Sequence, residues 1–194
     1  MSQQDSHINT IFKNVPLSDE ELERIDIVLH HEEYKKGEKV FESGDIVNNM
    51  YYIWSGCLRT YCIEENGKEH TLQFGIKDWW ITDFSAFFSR SEAMMNLEVI
   101  ENAKIYKLSI QDWQNLCNDI VSINTYGRNK LESAFSMFQR RILSNMSLSA
   151  QVRYKNFVKQ YPDIEAKVKN YHIASYLGIT NESLSRIRKE IYKK

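Results

Sequence analysis

Tyr171–Ile191 reads YHIASYLGITNESLSRIRKEI. Ile173, Ala174 and Leu177 give the first half a small apolar face, and Ala174 is small enough for a second helix to cross closely. Gly178 suits the left-handed backbone position that ends a helix. Ile179 fills the angle that follows. Thr180 is a good N-cap for a second helix, with Ser183 at hand in its first turn. The second helix then turns Leu184, Ile187 and Ile191 inward and leaves Asn181, Glu182, Ser185, Arg186 and Lys189 outward. This pattern predicts a helix-turn-helix, whose second helix can enter a DNA major groove.

The outward set suits base reading. An arginine can bond through two donors to the O6/N7 edge of guanine, and a glutamate can accept from cytosine N4. Arg188, Lys189, Lys193, Lys194, Lys167 and Lys169 suit phosphates, which supply affinity and register rather than sequence. His172 is expected to cap the first helix or touch phosphate near it. The expected DNA-binding set is therefore His172, Thr180, Asn181, Glu182, Ser183, Ser185, Arg186, Arg188 and Lys189. The plainer alternative is a helical hairpin with a solvated charged face.

Charge supports the first reading. The 194 residues carry a formal net charge of −1. Before residue 119 there are 11 basic and 20 acidic side chains, a net of −9, and from 119 onward 14 and 6, a net of +8. Such asymmetry is a hint of nucleic-acid or membrane binding by the basic part.

Working upstream, residues 148–160 form a helical stretch that stops at Tyr161-Pro162. Residues 119–146 form a longer one with no proline and a single glycine, Gly127. Leu131, Phe135, Phe138, Ile142 and Met146 recur on one face close to a heptad seam. The stripe can cover the rest of the chain or pair with a second copy. A helix of this length is about 42 Å long, more than a small barrel covers, which favours a dimer through Leu131, Phe135, Phe138 and Ile142.

From residue 33 to 108 the texture is β-rich. KVFES, MYYIW, CLRTYCI, HTLQFGI and AKIYKLS are separated by the turn signals Ser43-Gly44-Asp45, Ser55-Gly56 and Glu65-Asn66-Gly67. Asn66-Gly67 predicts a tight hairpin because both residues tolerate positive φ. Strands at this spacing predict a small antiparallel barrel or roll. DWWITDFSAFFSRSEAMM interrupts it as a short helix plus loop, whose Trp79, Trp80, Phe84, Phe87 and Phe88 either fill the core or line an apolar pocket. Ser18 with Glu21 forms a capping box that opens a helix ending by His31. Ser109 caps a short helix, IQDWQNLC. The organisation expected is a roll with its N-terminal helix over 1–118, a long helix over 119–146 and a helix-turn-helix over 147–194.

Other classes are disfavoured. No run of 18 apolar residues predicts a membrane span, and the first residues lack a signal-peptide core. Cys57, Cys62 and Cys117 are odd in number and form no C-x-x-C pair, which argues against a disulfide framework or zinc finger and fits a reducing cytoplasm. A cupin-like metal-dependent enzyme needs about three converging ligands, but residues 33–108 hold one histidine, His70. His30 and His31, adjacent on a helix, would diverge by about 100°. No nucleophile elbow or phosphate loop is present. No catalytic residue, metal or cofactor is expected.

An N-terminal roll, a long dimerisation-type helix and a C-terminal helix-turn-helix resemble the Crp–Fnr family of bacterial transcription regulators. KVFESGDIVNNMYYIWSGCLRTYCIEENGKE and YHIASYLGITNESLSRIRKEI carry the resemblance best. It implies an α+β fold: an antiparallel roll of the double-stranded β-helix, cyclic-nucleotide-binding-domain type, then a winged-helix-like reader whose wing is reduced. The family's oxygen-sensor branch shows Glu, two residues, then Ser-Arg, met here by Glu182, Ser185 and Arg186. Asn181 departs from the cyclic-AMP branch, which has arginine there. A palindromic site with TTGA-like or TGA-like half-sites is implied, together with double-stranded DNA, a homodimer partner and RNA polymerase. The family's nucleotide-binding members carry Gly-Glu-Leu and, some nine residues on, Arg-Ser or Arg-Ala. Here Ile81-Thr82-Asp83-Phe84 and Met94-Met95-Asn96-Leu97 stand in those places, and Arg90 is out of register. Asp83, Phe84, Ser85 and Arg90 are the candidate effector contacts, the effector being unidentified or absent. A cyclic-nucleotide-responsive regulator is the alternative reading.

Overall fold

A computed structural model describes residues 3–192, with side chains from His7 to Ile191, so Lys193 and Lys194 of the expected phosphate set lie outside the described residues. Helices α1 (Gln3–Ile11) and α2 (Asp19–Val28) come first. α2 starts where the capping box places it: the Glu21 amide donates to Ser18 Oγ at 3.3 Å and the Ser18 amide to the Glu21 carboxylate at 2.7 Å. It ends before His31, as expected, at Val28, because Leu29 is extended and His30 opens strand β1 (His30–Tyr34). His30 and His31 thus alternate across a strand instead of diverging round a helix. α1 was not anticipated; its end and the residue after it bury Ile8, Ile11 and Phe12.

Strands β2 (Lys39–Phe41), β3 (Asn49–Ile63), β4 (Glu69–Gly75), β5 (Trp80–Ile81) and β6 (Asn96–Ser109) follow. The sheet order is β1-β6-β3-β4, with β2 also on β6 and β5 on β3. β1 runs antiparallel to β6, with His30 opposite Lys107 and Tyr34 opposite Ala103. Ser55-Gly56 is not the turn expected from sequence: β3 passes straight through it. Gly56 has φ +93°, and a Cβ there would lie 2.4 Å from the Asn102 carbonyl oxygen. Close approach of two backbones, the other use of glycine in sheets, is the reason for this residue. At Asn66-Gly67 the turn exists but is longer than expected. Gly67 alone of the pair has positive φ (+83°), and the Glu64 amide donates to the Lys68 carbonyl at 2.9 Å. Asn66 instead uses its side chain, donating to the Glu64 carboxylate at 3.0 Å and accepting from the Lys68 amide at 2.9 Å.

Ile53, Leu58, Ile81, Phe87, Leu97, Val99, Ile105 and Leu108 are fully buried and form the heart of the roll. Among them lies an ion pair: Arg59 Nε and Nη2 donate to Glu98 Oε2 at 2.9 and 2.7 Å.

The remaining elements are helical: α3 (Phe84–Ser89), α4 (Ile110–Asp119), α5 (Val121–Ser147), α6 (Ala150–Gln160), α7 (Ile164–Lys167), α8 (Asn170–Leu177) and α9 (Asn181–Tyr192). Ser109 caps α4 as expected, accepting from the Asp112 amide at 3.0 Å. The short α7 was not anticipated. Gly127, the single glycine of α5, packs against α4, where a Cβ would meet the Trp113 ring at 2.4 Å. This fold, an antiparallel β-roll followed by helices, is the α+β class expected.

The chain divides into two compact units, Met1–Thr60 with Phe74–Ser133, and Tyr61–Gln73 with Ala134–Lys194. This division runs through α5 and assigns the tip of the β3–β4 hairpin to the C-terminal unit. Along these boundaries the formal charges are −7 and +6. Among the described residues, no helix is long and apolar enough to cross a membrane.

Candidate nucleic-acid interface

The C-terminal helices are shaped by the local signals read from sequence. Gly178 ends α8 at φ +64°, and the Ile179 amide reaches back to the Ala174 carbonyl at 3.0 Å. This six-to-one bond with a left-handed residue before it is a Schellman closure. Thr180 Oγ1 accepts from the Ser183 amide at 3.2 Å and so starts α9. Leu184 and Ile187 are buried with Tyr154, Phe157, Tyr161, Ile164, Val168, Ile173, Ala174 and Leu177. Asn181, Glu182, Ser185, Arg186 and Lys189 are exposed, as is Thr180, while Ser183 is half-buried. The Glu182 carboxyl is held below its usual pKa by its own backbone amide at the helix start and by Thr180. It therefore stays ionised at neutral pH and offers an acceptor to a base donor.

Two members of the expected DNA-binding set point elsewhere. His172 is 4% exposed, its ring 4.0 Å from that of Tyr171, so it is a packing residue without access to phosphate. Arg188 is turned into the unit. Its Nε donates to Tyr154 Oη at 3.1 Å, its Nη1 to Asn170 Oδ1 at 2.5 Å, and it pairs with Glu165 at 3.3 Å. Tyr154 Oη donates in turn to Glu165. Arg188 thus ties α9 to α6, α7 and α8. Lys167 and Lys169 are exposed, as the phosphate reading requires.

Sequence reasoning missed a second set of contacts on α8. Arg153 Nη1 and Nη2 donate to the carbonyls of Leu148 at 2.8 Å and Leu177 at 3.1 Å. Arg141 Nη2 donates to the Tyr176 carbonyl at 3.0 Å, with its guanidinium 4.0 Å from the Tyr176 ring centroid. Cations at the C-terminal end of a helix meet its free carbonyls and the negative end of its dipole. Nothing in the sequence marks these arginines apart from their neighbours.

Comparison with known proteins agrees with this geometry. Residues 31–119 match the cyclic nucleotide-binding domain family. An anaerobic regulatory protein from Haemophilus influenzae is 22% identical over 95% of this chain and 76% of its own length. The fumarate and nitrate reduction regulatory protein of Salmonella typhi is 21% identical over 95% and 78%. Among solved structures, a putative transcriptional regulator of the Crp/Fnr family from Eubacterium rectale is 21% identical, covering 90% of this chain and 84% of that one with a TM-score of 0.71. The chain is similar, over most of its length, to these regulators. FixK2 from Bradyrhizobium japonicum shares the fold at a TM-score of 0.75, with 15% identity over 86% and 85%.

The candidate effector contacts have separate employments. Asp83 is fully buried; its Oδ1 accepts from the Ala86 amide at 3.1 Å and its Oδ2 from the Met94 amide at 3.0 Å. It caps α3 and straps the following loop. Arg90 is exposed, in left-handed backbone (φ +53°), and donates to Gln114 at 2.8 Å. Ser85 is exposed and Phe84 partly buried, stacked on Phe88 at 6.0 Å. Of the aromatic group, Phe87 is core, Phe88 is 46% exposed, and Trp80 packs on the core while donating to Tyr126 Oη at 3.0 Å. Cys57 is buried, Cys62 is exposed, and burial pushes the Cys117 thiol up to about 11, leaving it un-ionised at neutral pH. On α5, Leu131, Phe135, Ile142 and Met146 are exposed, Leu143 with them, and Phe138 is half-buried.

Proposed function

We propose that this chain is a sequence-specific DNA-binding transcription regulator that reads a palindromic site as a homodimer. The observation that carries the reading is the composition of the two faces of α9. One is closed into the core through Leu184 and Ile187; the other presents Asn181, Glu182, Ser185, Arg186 and Lys189 to solvent. In this reading Arg186 bonds guanine, Glu182 accepts from cytosine, and Ser185 and Asn181 complete the base-edge contacts. Lys189, Lys167 and Lys169 meet phosphate. Two copies paired along α5 would set two recognition helices about 34 Å apart, one turn of duplex. The roll, residues 1–118, is the effector-responsive part, and the helices from 147 onward are the reader. Its place of action is the cytoplasm, with RNA polymerase as the partner on DNA, and no catalytic step is assigned to it. The match of residues 31–119 to the cyclic nucleotide-binding domain family makes a cyclic nucleotide the alternative effector. The absence of Gly-Glu-Leu and of an arginine in register weighs against it, since a cyclic phosphate needs a cation opposite it.

The reading is tested by selecting bound sequences from random DNA with the purified protein. A two-fold symmetric motif is the expected product, and recovery of no common sequence would sink it. On the selected site, Arg186→Ala is expected to weaken binding by about 1–3 kcal/mol while sparing binding to random DNA. An equal loss on both would make Arg186 a phosphate contact.

A further inference from the structure

The tip of the β3–β4 hairpin, α5 and α8 meet inside the C-terminal unit. Ser175 Oγ donates to the Glu69 carbonyl at 2.7 Å and accepts from the Thr71 amide at 2.8 Å. One hydroxyl thus closes on both backbone groups of a strand edge. Arg141 adds two further carbonyls of β4, donating through Nη1 to Leu72 and through Nη2 to Thr71 at 3.1 Å. The same Nη2 reaches the Tyr176 carbonyl at 3.0 Å, so one guanidinium joins β4 to the last turn of α8. The Tyr176 ring stacks on it at 4.0 Å. Burial lowers the pKa of Arg141 from the usual arginine value, and neighbouring tyrosines oppose the shift. A cation held by converging carbonyls and a ring face is fixed in direction by their geometry.

We propose that the hairpin tip is a working part of the DNA reader, with Ser175 and Arg141 as positioning residues that hold α8, and through it α9, in register for base reading. The proposal rests on the DNA-binding reading above. Residues 147–194 alone are 48 residues, a length at which a single core is marginal. α8 has eight residues and joins α9 through Gly178–Thr180, so the pitch of α9 depends on what fixes α8. Arg188 fixes α9 from one side; the hairpin fixes the α8 end from another. β3 and β4 run on into the roll, so the hairpin is also a covalent route from roll to reader.

The test uses the full chain, the selected DNA site, random DNA of equal length, and amide exchange at Thr71. Ser175→Ala suits a helix, and its thermal midpoint is checked beside the parent. Expected are faster exchange of the Thr71 amide and a roughly 2- to 10-fold weaker grip on the selected site, the scale of one hydrogen bond. Random-DNA affinity and the salt slope stay as in the parent, because no phosphate contact is removed. Ser175→Thr, which keeps the hydroxyl, restores site binding. Arg141→Lys, which keeps charge but not the fork of donors, weakens the site in the same selective way. Faster exchange with unchanged site affinity would overturn the proposal, as would unchanged exchange or tighter site binding. Failure of the underlying reading looks different: the unaltered chain would prefer no sequence, and the proposal would fall with it.

Discussion

Glu98→Ala is expected to destabilise the roll by about 3–5 kcal/mol, the usual cost of taking the carboxylate out of a buried ion pair. The Arg59 side chain is 2% exposed and the Glu98 side chain 20%, so the guanidinium cannot recover hydration by a small shift. Both of its bonds to Glu98 end on one carboxylate oxygen, Oε2, at 2.9 and 2.7 Å. Removing the carboxylate therefore removes both together. The measurement is the urea midpoint of the full chain, which at unchanged slope reads stability directly. A control separates the cost of removing the carboxylate alone from any value of the pair itself. Replacing both residues by apolar ones, Arg59→Met with Glu98→Leu, removes the charge along with its partner, and such exchanges are often neutral or stabilising. The double variant should thus recover most of the loss. A single variant within about 0.5 kcal/mol of the parent would mean that Arg59 finds water or another acceptor on losing Glu98.

The elements legible in the sequence were those decided within a few residues. Ser18 with Glu21 closes a capping box, Ser109 caps α4, and Gly178 followed by Thr180 ends one helix and starts the next. Each is a backbone need met by a neighbour three to five residues away. The exposed face of α9 was legible for the same reason, since a 3.6-residue period sorts Leu184 and Ile187 from Glu182, Ser185 and Arg186. What failed depended on distant partners. Gly56 looked like a turn residue, yet its glycine is required by Asn102 and Ala103, more than forty positions away. Arg186 and Arg188 are the same letter two residues apart, roughly 200° round the helix. One faces solvent, and the other is drawn inward by Tyr154, Glu165 and Asn170, on three other helices. His172 was read from its place at a helix start, but tight packing removes it from solvent. The allegiance of the hairpin tip could not be read, because its contacts use backbone groups of Glu69, Thr71 and Leu72, which every sequence supplies.

Phe135→Glu is expected to turn the proposed dimer into a monomer and, through that alone, to cost the proposed palindromic site about 10²- to 10⁴-fold in affinity. In the single chain Phe135 is 66% exposed, Ile142 59%, Leu143 61% and Met146 80%. Large side chains gathered on one helix and left open to water mark a surface that another protein covers. α5 has 27 residues and is about 40 Å long, enough for a two-fold seam. In a two-fold seam each residue opposes the same patch of its copy, so a single substitution introduces two carboxylates into one apolar contact. Desolvating both is costly. Because Phe135 makes little use of its own chain's core, the monomer should keep its fold within about 0.5 kcal/mol, as exposed positions do. Sedimentation at micromolar protein checks the first step: dimer for the parent, monomer for the variant. Binding to a half-site checks the second, and here the two proteins should agree, since α9 is untouched. Only the gain from holding two α9 helices on one DNA is lost. A parent that sediments as a monomer, or a variant that remains a dimer, would show that the stripe on α5 meets something other than its own copy.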